Sequence, residues 1–191
     1  MNFADLVACN RSYRRFKQNE PISEDTLREL VDYARLSATG GNQQSIKFLL
    51  SNTPARNERI FPTLAWAGAL KDWEGPAEGE RPAAYIVILG DTDIAKGFGV
   101  NHGIAAQSIT LGAAEKGYGG CMIGSIQREK LRANLNLPER YEILLVVALG
   151  KPAEKVVIDD AVDGDVTYYR DADSVHHVPK RTLDELIVSM E

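Results

Sequence analysis

Apolar residues along this chain fall into two kinds of run, and together they predict a sheet core wrapped by helices. Leu27, Leu30, Val31 and Ala34 recur at i, i+3, i+4 and i+7, the spacing of one helix face. Ser23 ahead of them is a good N-cap, and Glu24 and Asp25 suit the positive end of a helix dipole, so a helix is predicted to about Leu36. SATGGNQQ breaks it, and Lys47 to Ser51 reads as a short strand. AAYIVILG, Ala83 to Gly90, is continuous and β-branched, as a strand buried on both faces should be, and DTD closes it. EILLVVALG, Glu142 to Gly150, is a second such strand.

Between these runs the pattern is weaker. Residues 2–9 suit a short helix. The segment from Asn57 begins helical and then turns rich in Gly and Pro. Asn101 to Lys116 reads as a small-residue helix, with Ile104, Ser108, Leu111 and Glu115 along one face. GYGGCMIGS reads as a glycine-laced turn, Gly119 and Gly120 included, followed by a short strand; QREKLRANLNLP is a surface helix stopped by Pro138. From Lys151 the chain is polar and acidic until Thr182, where Thr182 and Glu185 have the spacing of a capping box ahead of a final helix. Residues 151–178 are long for a simple loop, which leaves a mobile segment or an arm lying on another subunit. Interleaved strands and helices give an α/β or α+β class with a mixed sheet. No internal repeat occurs.

Composition narrows the function. The 191 residues include 44% hydrophobic and 26% charged positions with a net charge of -5, as expected of one domain with a substantial core rather than a disordered chain or a general nucleic-acid binder. Cys9 and Cys121 form no CxxC pair, so a reducing cytoplasm is the simplest setting. No signal peptide and no run of about 20 apolar residues for a membrane helix is expected. Within this acidic chain, NRSYRRF puts Arg11, Arg14 and Arg15 into seven residues, and VPKRTLDELI adds Lys180 and Arg181. Such local clusters suit a compact anion.

The common catalytic patterns are missing. GYGGC does not match GxGxxG and lies between a helix and a strand, the reverse of the order that motif needs. His102, His176 and His177 form no HExxH and no zinc spacing with the cysteines, so no metal is expected. Cys121, between glycine and apolar residues, reads as a buried inert thiol. A chain with anion-binding charge and no reactive side chain of its own is suited to borrow chemistry from a cofactor.

Four segments carry a resemblance to the nitroreductase family of FMN-dependent oxidoreductases. RSYRRF resembles its Arg-Arg-Ser-x-Arg-x-Phe segment, with Asn10 where the first arginine stands; Arg11 and Ser12 match, and Arg14 or Arg15 supplies the remaining charge. SATGGNQQSIKF is similar to Ala-Pro-Ser-x-x-Asn-x-Gln-Pro-Trp-x-Phe: Asn42, Gln44 and Phe48 match, Thr39 stands for Ser, and Ala38, Ser45 and Ile46 replace Pro, Pro and Trp. GYGGCMIGS resembles the segment whose backbone faces the isoalloxazine. VPKRTLDELI resembles the C-terminal segment whose arginine reaches the phosphate.

The resemblance implies an α+β nitroreductase-like fold over residues 1–191. Its central sheet would be mixed, mainly antiparallel and flanked by helices, with residues 151–191 as a C-terminal arm and final helix. It further implies a homodimer with FMN at the subunit interface, NAD(P)H as cosubstrate, and ping-pong hydride transfer to a small electron-poor acceptor such as a nitroaromatic or quinone. Dehydrogenation or dehalogenation on the same fold, or flavin binding without turnover, are the alternatives. Carried over residue by residue, the FMN-binding set is Arg11, Ser12, Tyr13, Arg15, Thr39, Gly40, Asn42, Gln44, Met122, Ile123, Gly124, Ser125, Lys180 and Arg181, with the Gly124 backbone as donor to flavin N5. Guanidinium forks pair with phosphate oxygens at roughly 1.5–3 kcal/mol per charge-assisted bond, enough for two or three to retain the cofactor.

Overall fold

A computed structural model describes residues 1–189. Its central sheet has the order β1-β2-β4-β3, built from β1 (Ile46–Ser51), β2 (Ala84–Asp91), β3 (Gly119–Ile123) and β4 (Tyr141–Gly150). Every pairing among these strands is antiparallel. The sheet expected to be mixed is thus antiparallel throughout, and parallel pairing is left to an isolated Ser12–Gly120 bridge and to a second, smaller sheet.

β2 is buried at every position, as its apolar run from Ala84 to Gly90 requires, and Asp91 at its end is buried too. Period-2 alternation divides it between two cores. Ala84, Ile86 and Ile88 pack with Val147 and Leu149 of β4 under Leu27 and Leu30 of α2 (Glu24–Leu36) and Ile109 of α4 (Asn101–Glu115). Tyr85, Val87 and Leu89 face the other way, toward Ile60 of α3 (Pro54–Ile60) and Leu131 of α5 (Arg128–Leu135). In β4 the parity changes partway along. Ile88 pairs with Leu145 but Leu89 pairs with Ile143, so a bulge at Leu144 turns Ile143 into the second core.

The helices begin where their caps dictate. The Ser23 hydroxyl accepts the Thr26 N–H at 3.1 Å and starts α2, and Asn2 caps α1 (Phe3–Cys9) in the same way through Asp5 at 2.9 Å. α4 packs by its small residues, Ala105, Ala106 and Ala113, while Ile104 on the face traced from the sequence stays 37% exposed. Gly112 permits this close approach: a Cβ there would lie 2.4 Å from the Tyr33 ring of α2.

The polar stretch after β4 holds a three-stranded sheet that the sequence pattern does not reveal. β5 (Val156–Asp160) pairs in parallel with β7 (His176–Lys180), and β6 (Tyr169–Arg170) runs antiparallel to β7. The segment folds back on its own chain, through a Phe16–Pro152 bridge and a bond from the Ala153 N–H to the Arg15 carbonyl at 3.0 Å. The capping box at Thr182 is present, but α6 (Leu183–Leu186) lasts one turn and Ile187 leaves the helix; residues 190–191 of the expected final helix lie outside the described residues.

Phe16, fully buried, anchors the arginine segment against Gly150 at the end of β4. A Cβ at Gly150 would stand 2.8 to 2.9 Å from Cδ1, Cβ and Cγ of Phe16, atoms too near the backbone to swing aside. Gly150→Ala is expected to cost about 1–3 kcal/mol of stability through this overpacking, read as a lower urea midpoint with unchanged slope; an unchanged midpoint contradicts the assignment.

Candidate functional site

The arginine segment leaves α1 in extended form and is stitched along its length. The Tyr13 N–H donates to the Gly120 carbonyl at 3.0 Å, the Phe16 N–H to Glu80 at 2.9 Å, and the Lys17 N–H to Lys151 at 2.8 Å. Gly119 and Gly120, read from the sequence as turn residues, lie in β3. Gly119 is needed there because a Cβ would approach the Tyr13 ring to 2.7 Å.

Glu154 fixes the segment from the other side. Its Oε1 accepts the backbone N–H of both Arg14 and Arg15, the latter at 3.0 Å, and its Oε2 pairs with Arg170 Nη2 at 2.9 Å. The carboxylate is only 2% exposed, so these donors replace its lost hydration. Arg170 in turn lies 4.3 Å from the centre of the Trp73 ring.

From Ser12 onward the extended backbone sends successive side chains to opposite sides, and this decides between Arg14 and Arg15. Arg11, Ser12 and Arg14 line a cleft of about 390 Å³, while Arg15 turns away to Glu80 at 3.3 Å. β7 obeys the same rule: His176, Val178 and Lys180 line the cleft. Arg181, beyond the strand, is directed at Glu185 at 3.3 Å and the Gly164 carbonyl at 3.2 Å. Two basic clusters distant in sequence do converge in one chain, through Arg11, Arg14 and Lys180. Among the described residues, no aspartate or glutamate lines the cleft.

Its remaining walls come from Asn10, Gln107, Thr110, Gly120, Met122 and Tyr168. Asn10, at the place of the family arginine, donates to the Thr110 hydroxyl at 3.1 Å and ties the segment to α4. Arg14 stacks on Tyr168 at 4.7 Å and donates to His176 Nε2 at 3.0 Å. That ring nitrogen must be bare to accept, so the imidazole is neutral. Burial, then the Arg14 charge, push the His176 pKa down to about 4. Gln107, Tyr168 and His176 were not foreseen from the sequence; the i, i+2, i+4 phase of β7 is the signal that finds His176, once the strand is known.

The other expected residues sit elsewhere. Thr39 and Gln44 line a separate cavity of about 190 Å³, and the Gly40 N–H donates to Asn101 at 3.0 Å. Asn42 and Gln44 both have left-handed backbone, φ 53° and 50°, in a tight loop. Ile123 is buried, Gly124 is exposed just past β3, and the Ser125 carbonyl accepts the Ala65 N–H at 3.0 Å. Cys121 is buried, and burial raises its pKa to about 11, which fits an inert thiol. Among the described residues no group of three or more acidic, histidine or cysteine side chains is placed to hold a metal, and no helix is long and apolar enough to cross a membrane.

A dianionic group suits the cleft on the chemistry of its donors. Among the described residues, Arg11 Nε is buried without a hydrogen-bond partner, three cations face the space, and no carboxylate lines it to compete for them. At the level of class, the chain is an α+β protein with a cationic cleft. Residues 9–151 match the model of the Nitroreductase family, and the chain belongs to that family. It is 24% identical over 181 residues to a Bacillus subtilis (strain 168) protein provisionally named NAD(P)H nitroreductase YodC, covering 78% of this chain and 89% of that one. A nitroreductase family protein from Streptococcus pneumoniae TIGR4 superposes with a TM-score of 0.69 at 16% identity, covering 99% of this chain and 100% of the other. An FMN-dependent nitroreductase from Clostridium difficile R20291 gives 0.65 at 19% identity, over 85% of this chain and 92% of that one.

His176 makes the cleft acid-sensitive. The folded chain keeps it neutral down to about pH 4, whereas an unfolded histidine takes up its proton near 6.5. The unfolded state binds more protons between those values, so stability is full above about pH 6.5 and declines as pH falls toward 4. Comparison of unfolding midpoints for the native chain and His176→Gln should show a loss on the order of 1–3 kcal/mol in that window for the native chain alone. Parallel acid profiles for the two proteins contradict the assignment.

Proposed function

We propose that this chain is an FMN-dependent NAD(P)H oxidoreductase, working by ping-pong hydride transfer to an electron-poor acceptor such as a nitroaromatic or quinone. The observation that carries this reading is the convergence of Arg11, Arg14 and Lys180 on a cleft that no acid lines among the described residues, in a chain of this family. FMN, when bound, supplies the hydride-accepting and hydride-donating centre that the side chains lack.

The chain's own residues bind and orient. Arg11, Arg14 and Lys180 are assigned to the phosphate, with Ser12 as a neutral partner. In this reading Arg14 and Lys180 take the places first given to Arg15 and Arg181, because the neighbours are already held by Glu80 and Glu185. The end of β3, Met122 to Ser125, is assigned to the ring, with the Gly124 N–H as donor at N5. Positive charge and N–H donors there favour electron-rich states of the ring. Proton exchange is left to solvent, since the cleft histidine stays neutral and is engaged with Arg14.

Thr39, Gly40, Asn42 and Gln44 lie apart from the cleft of their own chain, and we assign them to the cleft of a second copy. The ends of the chain support a homodimer: Phe3 at 73%, Leu183 at 69%, Leu186 at 64% and Val188 at 86% exposure leave apolar surface for a partner to cover.

The protein as purified should be yellow, and anaerobic mixing with NADH or NADPH should bleach the flavin band rapidly. Replacing Arg11 and Lys180 together with Ala should weaken FMN binding about 100-fold or more, at roughly 1.5–3 kcal/mol per charged contact. Arg181→Ala should leave it within about two-fold. A protein that stays colourless after incubation with FMN, or holds it as tightly without the two cations, defeats the reading; flavin that binds but is never bleached makes the chain a carrier.

A further inference from the structure

A second cavity, of about 120 Å³, shares no lining residue with the cationic cleft. It lies where the start of β2 meets α3, and its walls include Pro21, Pro54 and Pro82. Proline walls have little freedom to collapse, so the space is preformed.

Two polar side chains in this cavity are left without partners. Arg81 Nε is buried and has no hydrogen-bond partner, and no acidic oxygen lies within 4.0 Å of the guanidinium among the described residues. The group is nevertheless held in place. It stacks 4.4 Å from the centre of the Phe61 ring, and its own backbone N–H donates to Gln18 at 3.2 Å. Tyr85 is only 1% exposed, and its hydroxyl makes no hydrogen bond to another described residue. Burial pushes its pKa well above the ordinary 10, while the Arg81 charge pulls in the other direction; the phenol stays protonated and the two groups are close enough to interact. By contrast, the amides on the wall are already used: Asn57 donates to the Ala83 carbonyl at 2.8 Å and Asn52 to that of Ile22 at 3.2 Å.

What remains is a planar fork of cationic N–H donors, one neutral O–H donor, and an apolar wall of Phe61 and prolines; Glu58, the one acid on the wall among the described residues, is exposed to solvent and makes no ion pair with Arg81. A carboxylate presents two coplanar oxygens that match such a fork and a third donor, whereas a dianion would find only one charge. The volume admits only a short tail. We propose that this cavity binds a small organic monocarboxylate, held by the Arg81 guanidinium and the Tyr85 hydroxyl with its short aliphatic tail against Phe61 and Pro54. This site is independent of the cofactor reading, since it draws on none of the same residues.

Butyrate is the probe, titrated calorimetrically into the protein as isolated with its bound cofactor, at ionic strength fixed with chloride. Saturable one-site binding is expected. Arg81→Lys, which keeps the charge and loses the fork, should weaken it about ten-fold or more, and Tyr85→Phe several-fold. Arg81→Met should abolish it. Melting temperature and flavin content, measured on each variant, identify any that fail to fold, and Arg81→Lys and Tyr85→Phe then decide between them. Inorganic phosphate should bind this site at least about ten-fold more weakly than butyrate. Absence of saturable heat, equal affinity in the Arg81 variants, or loss of butyrate binding in the Arg11→Ala, Lys180→Ala protein would each overturn the proposal.

Discussion

One buried carboxylate sets the geometry of the cationic cleft. Glu154 gives one oxygen to two consecutive backbone N–H groups, those of Arg14 and Arg15, and the other to Arg170. A carboxylate without such donors would be expelled to solvent or protonated, so its three contacts hold or fail together. While they hold, the backbone between α1 and Phe16 has one path and one rotational phase. The sheet that carries Arg170 is fixed to the same point. Through Trp73, beneath Arg170, the constraint extends into the irregular segment after α3.

Once the phase of that backbone is set, alternation decides between neighbouring cations. Arg14 faces the cleft and Arg15 faces Glu80; on β7, His176, Val178 and Lys180 face the cleft and His177 does not. His177 instead bridges two acids, Asp159 at 2.6 Å and Asp171 at 3.1 Å, and stacks on Tyr169 at 4.7 Å. These contacts fasten β5, β6 and β7 without an apolar core of their own. Two adjacent histidines thus have opposite work and opposite pKa shifts: Asp171 and Asp159 raise that of His177, while burial and Arg14 lower that of His176.

The legible parts of the fold were those where burial alone dictates sequence. β2 up to Gly90 and β4 from Ile143 are continuous apolar runs because both faces of the sheet are covered there, and α2 announces itself by one periodic face and a serine cap. The C-terminal sheet was hidden for the converse reason. β6 is two residues long, β5 contains two aspartates, and their order comes from ion pairs and stacking that leave no hydrophobic period. The site was legible as two basic clusters, but the residue within each cluster was not. The sequence favours Arg15 and Arg181, whereas strand phase turns their neighbours Arg14 and Lys180 to the cleft, and His176 has no place until its strand is read.

The placement of the acids runs parallel to this division. Arg15 has Glu80 and Arg181 has Glu185, each at 3.3 Å, so the cation beside each cleft residue is neutralised at the surface. Arg11, Arg14 and Lys180 have no acidic oxygen within 4.0 Å among the described residues, although the chain carries 27 acids against 22 lysines and arginines. An excess of acids that leaves three clustered cations unpaired is not what random surface placement produces, because mutual repulsion across a cleft is most simply relieved by one nearby carboxylate. Glu154 is near enough to serve, yet it is spent on backbone N–H groups and Arg170, and the histidine beside Arg14 stays neutral. The charge is therefore left uncompensated by the fold itself, and a dianion entering the cleft would gain the attraction that the protein has not used.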